Sequence, residues 1–85
     1  MSRLQTTVEV VARALADHPD QVSVTETEHR HLTLVELSMA PGDLGRVIGR
    51  QGRTAAALRT LVALVGEREG KRAQLEFRDR PGQEE

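Results

Sequence analysis

Leu4, Val8, Val11 and Leu15 recur at three- and four-residue steps, the spacing of one helical face. Ser2 precedes them with Gln5 three positions on, a capping box that marks the helix start. Pro19 ends this helix near Asp17. The period then drops to two. Val22 and Val24 alternate with Ser23 and Thr25, which predicts a strand with one buried face. The polar run TEHR, residues 27–30, reads as a hairpin turn into a second strand over HLTLVELSMA. That strand is out of phase with itself: Leu32 and Leu34 point to one face, Val35, Leu37 and Met39 to the other. Either a bulge resets the register or both faces are covered.

Pro41 suits the first turn of a second helix, with Asp43 placed against its positive end. Leu44, Val47 and Ile48 are the apolar positions of this short element before Gly49. A longer helix follows Gly52, with Ala55, Leu58, Leu61, Val62 and Val65 on one stripe and Gly70 as its stop. KRAQLEFR alternates again, turning Ala73, Leu75 and Phe77 inward, and PGQEE reads as a frayed end. Residues 1–79 thus form one domain and residues 80–85 a flexible acidic tail. The element order predicts an α+β fold, α-β-β-α-α-β, with a three-stranded sheet covered by helices on one face.

Composition narrows the chemistry. Eighty-five residues with a single aromatic, Phe77, leave a thin aliphatic core. Cysteine is absent, so disulfides and thiolate chemistry are excluded. Glu9 and Arg13 interrupt any signal-type apolar region, and no run approaches a membrane span. A cytoplasmic location is expected. The formal net charge is −1, yet it is polarised. Residues 17–43 carry Asp17, Asp20, Glu26, Glu28, Glu36 and Asp43 against Arg30 alone, whereas residues 44–66 carry Arg46, Arg50, Arg53 and Arg59 with no acidic residue. A polyanion is drawn to the second segment and repelled from the first.

That basic segment also holds Gly49-Arg50-Gln51-Gly52 between the two inner helices. So tight a connection needs positive φ just after the first helix, which Gly49 supplies. Gly52 falls at the start of the next helix, whose unpaired N–H groups are expected to face outward and attract an anion.

VIGRQGR resembles the I-G-x-x-G signature of KH domains, whose loop clamps the backbone of about four nucleotides. The wider run from Met39 to Phe77, with the leading helix and DHPDQVSV, is similar to the small stand-alone bacterial KH proteins of the KhpA type. The resemblance implies the type II KH topology and RNA binding, as an RNA chaperone or post-transcriptional regulator. It implies that Gly49 and Gly52 permit close backbone approach, and that Arg50 and Gln51 touch phosphate or sugar. Arg46 and Arg53 would flank them, Ile48 would floor the groove under the bases, and Arg59 would add a more distant contact. It also implies self-association and pairing with a larger KH-containing protein of the KhpB type. The out-of-phase Leu32 and Leu34 offer one apolar contact surface for this, with the KH helices as the alternative. Aromatic stacking is expected to be unavailable in this groove, so one module should bind weakly.

Each feature has a plainer reading. The glycines could serve only a tight turn, the arginines could be a solvated helix face, and Ile48 could be core. His29-x-His31 lacks further metal-ligand spacing and reads as turn chemistry. His18, beside Pro19, reads as a helix-end residue. No phosphate-loop or dinucleotide motif and no catalytic constellation is discernible, so neither enzyme activity nor a cofactor is expected. The rival reading is a protein-interaction or dimerisation module of KH fold to which RNA is incidental.

Overall fold

The computed structural model describes residues 2–79; the expected acidic tail, 80–85, lies outside them. Helix α1 (Arg3–Leu15) is followed by a 3₁₀ turn (Pro19–Gln21), β1 (Ser23–His29), β2 (Leu32–Met39), α2 (Asp43–Ile48), a second 3₁₀ turn (Arg50–Gly52), α3 (Arg53–Arg68) and β3 (Arg72–Asp79). The sheet order is β1-β2-β3, antiparallel between β1 and β2 and parallel between β2 and β3. This is the expected α-β-β-α-α-β arrangement.

The N-terminal capping box forms as the sequence predicts. Gln5 N donates to Ser2 Oγ at 3.1 Å and Ser2 N to Gln5 Oε1 at 3.4 Å. The same pair ties α1 to the sheet, because Ser2 Oγ donates to the Glu26 carboxylate and Gln5 Nε2 to the Val24 carbonyl. The buried face of α1 is Leu4, Val8 and Ala12; Val11 is half-buried, and Leu15, expected inside, is exposed. The helix ends at Leu15, and Ala16, in extended backbone, packs against the core in its place.

The phase conflict in β2 resolves without a bulge. Pairing is continuous from Ser23↔Ser38 to His29↔Leu32 and from Leu32↔Arg72 to Met39↔Asp79. Thr33, Val35, Leu37 and Met39 are buried under the helices, and Leu32 and Leu34 stand half-buried on the opposite face. A central strand shields both its faces partly through its neighbours, so a second apolar pair is tolerated there. The hairpin turn is shorter than the TEHR run: Thr27, Glu28 and His29 belong to β1, and only Arg30 and His31 make the connection. Arg30 takes the positive φ, 52°, that a two-residue hairpin demands at its first position.

The core is Leu4, Val8, Ala12, Val22, Val35, Leu37, Met39, Val47, Leu58, Val62 and Leu75, one cluster between helices and sheet. On α3 the buried stripe is Ala55, Leu58, Val62 and Gly66, with Val65 half-buried. Leu61, assigned to that stripe from the sequence, is 43% exposed. Gly66 takes the place a larger residue would otherwise hold, since a Cβ there would lie 2.7 Å from the Ala73 Cβ and 3.2 Å from the Lys71 carbonyl oxygen. Helix α3 so sits close against β3. It stops where expected: Gly70 N donates to Glu67 O at 3.1 Å and Lys71 N to Gly66 O at 2.8 Å, the paired bonds of a Schellman ending.

Candidate nucleic-acid interface

Helix α2 is positioned by the chain that precedes β1. Pro41 lies outside the helix, and Gly42, at φ 89°, is its N-cap. Asp43 is buried rather than displayed at the helix start, its side chain only 4% exposed. Burial alone would raise its carboxyl pKa. The His18 backbone N–H (2.8 Å to Oδ2) and ring Nδ1 (3.2 Å), with a further bond from the Asp17 backbone, more than offset this and hold it below the usual carboxylate value. One turn on, Arg46 pairs with Asp17 at 3.0 Å. Two contacts therefore pin one face of α2 to the corner after α1. The acidic partner that Arg46 lacks on its own helix comes from this corner.

The connection to α3 departs strongly from helical backbone. Gly49 has φ 79° and ψ 171°, a combination essentially restricted to glycine. A Cβ on it would lie 2.6 Å from Thr54 Oγ1 and 3.2 Å from the Thr54 nitrogen. Gln51 (φ 58°, ψ 22°) and Gly52 (φ 70°, ψ 16°) are both left-handed. A Cβ on Gly52 would meet nothing within 4 Å. The two glycines thus differ: Gly49 is required by the protein's own packing, while Gly52 leaves free space above the loop.

The expected row of open amides is shorter than the sequence suggests. Gly52 N donates to Gly49 O at 3.1 Å, and the Arg53 N–H is taken by Arg50 O. The 3₁₀ turn uses these donors itself. No side chain caps the start of α3. Arg50 and Gln51 are exposed, and the Arg50 side chain makes no ion pair or hydrogen bond among the described residues. Arg53 reaches back to Gln51 Oε1 at 3.3 Å. Ile48 and both loop glycines are half-buried. The corner faces solvent, with Arg46, Arg50 and Arg53 exposed.

Arg59 stands apart from this group. Its Nε donates to the Leu75 carbonyl at 3.4 Å, and its guanidinium carbon lies 5.0 Å from the Phe77 ring centroid. Phe77, read from the sequence as an inward residue, is half-buried and carries this cation on its face. Sequence reasoning missed Thr54 against Gly49, the His18–Asp43 and Asp17–Arg46 contacts, and the Arg59–Phe77 stack. Each joins segments whose contact no local spacing announces. Among the described residues no group of three His, Cys, Asp or Glu side chains could hold a metal, and no helix is long and apolar enough to cross a membrane.

A family model for the KH domain of KhpA/KhpB matches residues 5–77. A protein of Aquifex aeolicus named RNA-binding protein KhpA is 47% identical over 77 residues, covering 91% of this chain and 98% of that one. Its namesake from Halalkalibacterium halodurans is 46% identical over 76 residues, covering 89% and 100%. That of Listeria monocytogenes is 44% identical over 67 residues, covering 79% and 88%.

Proposed function

The chain belongs to the KhpA/KhpB KH-domain family, and from that premise we propose that it binds single-stranded RNA through the Gly49–Gly52 loop. The relatives' name, RNA-binding protein KhpA, supports RNA as the ligand. The observation that carries the loop assignment is the unfilled space over Gly52 beside an Arg50 side chain with no partner among the described residues. A ribose-phosphate backbone approaches there without displacing a side chain. Arg50 and Gln51 contact it, Arg46 and Arg53 flank it, and Ile48 lies beneath the bases. RNA phosphate competes with Asp17 for Arg46. Neutralising about three phosphates makes affinity fall roughly tenfold or more between about 50 and 200 mM salt. A binder of this size acts as an RNA chaperone or post-transcriptional regulator in the cytoplasm, without catalysis.

The decisive experiment is RNA binding by an Arg50→Asp, Gln51→Asp variant, with thermal unfolding alongside. The expected result is at least about a tenfold loss of affinity at an unchanged melting temperature, since the substitutions reverse charge where a phosphate must sit. Retained affinity in a folded variant would refute the loop assignment.

A second reading, a docking surface for proteins, is favoured by Val10, Leu61 and Leu64, which are 62%, 43% and 51% exposed on α1 and α3. Self-association, or pairing with a KhpB-type protein, would cover them and bring two weak RNA sites together. Leu32 and Leu34, half-buried on the open sheet face, are the lesser candidate surface.

A further inference from the structure

The Arg59 guanidinium is held on two sides. Phe77 lies under it, with 5.0 Å from the guanidinium carbon to the ring centroid, and the Leu75 carbonyl fixes its Nε from the edge strand β3. Its terminal nitrogens have no partner among the described residues, and the side chain is exposed. Arg59 is two helical turns before Gly66, on the face of α3 that packs against β3. It is six residues past Arg53, so it stands about 9 Å along the helix from the loop. An arginine serving as a point charge needs none of this fixation. A planar group held over the only aromatic in the chain and exposed to solvent is instead a surface for stacking.

We propose that the Arg59–Phe77 pair is a nucleobase platform: a base of bound single-stranded RNA stacks on the exposed Arg59 guanidinium, which Phe77 and the Leu75 carbonyl hold flat. This rests on the RNA-binding reading above and assigns Arg59 a role other than phosphate contact. It leaves the expectation about aromatic stacking as it stands, because the side chain offered to the base is the arginine and not the ring. Lysine keeps the charge and loses the plane, so the two roles separate on substitution.

The test measures affinity for a single-stranded oligonucleotide and for the same backbone with abasic sites, at several salt concentrations, in wild type, Arg59→Lys and Phe77→Leu. Thermal unfolding is followed in parallel. Arg59→Lys should lose at least about fivefold on the base-bearing strand, the low end for one stacked base, with the salt slope unchanged and abasic binding equal to wild type. Phe77→Leu, which leaves the guanidinium but removes its backing, should lose in the same direction on the base-bearing strand alone. Wild-type affinity in Arg59→Lys overturns the platform, as does an equal loss on both strands. Should Arg59→Lys unfold, Phe77→Leu decides the question, and wild-type affinity there overturns it too. Failure here leaves the loop assignment intact, because the Arg50→Asp, Gln51→Asp variant tests that separately.

Discussion

The two ends of α3 are both glycine corners, and they are built to opposite purposes. At the C-terminal corner, Gly66 lets the helix lie against Ala73, and the amides of Gly70 and Lys71 return to the last turn. Lys71 is held there by Glu28 and Glu26, at 3.3 and 3.6 Å, and the hydrogen bond it donates to Glu28 raises its pKa. Every charge and donor at that corner named here has a partner inside the molecule. At the N-terminal corner Gly49 is likewise fixed by packing against Thr54, but Gly52 is bare and Arg50 unengaged. A Cβ on Gly70 would also meet nothing within 4 Å, so open space over a glycine is common to both corners, and the Arg50 side chain without a partner among the described residues is what sets the N-terminal one apart.

Substitution of each glycine by alanine probes that contrast. Gly49→Ala should have the largest effect: its backbone conformation is nearly forbidden to other residues and its Cβ would collide with Thr54, so a loss of about 3 kcal/mol is expected in denaturant unfolding. Gly66→Ala should cost much less. A Cβ against Ala73 and the Lys71 carbonyl costs about 2 kcal/mol of overpacking, offset by roughly 1 kcal/mol of helix propensity. That gives a melting temperature lower by about 5 °C with RNA affinity unaltered. Gly52→Ala should cost about as much as Gly66→Ala, roughly 1 kcal/mol for a left-handed alanine in open space, but with RNA affinity lowered. Equal stability losses at Gly49 and Gly52, or full RNA affinity in Gly52→Ala, would break the distinction between them.

Much of this was legible in the chain. The Ser2/Gln5 box, the alternation of Ala73, Leu75 and Phe77, and the stop at Gly70 act within a few residues, and the structure reproduces each. The GxxG spacing likewise announced the corner and the positive φ at Gly49. What stayed hidden depends on partners far along the chain. Leu61 fits the helical stripe as well as Val62 does, but the narrow sheet covers only part of that face. Asp43 has the ordinary position of a residue at a helix start, and only the return of His18 turns it into a buried anchor. Left-handed Gln51 carries no local mark, since nothing in its own side chain asks for that backbone.

The mixed pairing of β2 also orders the assembly of the molecule. Its partner on one side, β1, is joined through Arg30 and His31 alone, whereas β3 reaches the other side only after both inner helices have been made. Chain-closure entropy is small for the first pairing and larger for the second. On the ribosome the hairpin can zip early, but Leu37 and Val35 lack half their neighbours until the last strand has left the exit tunnel.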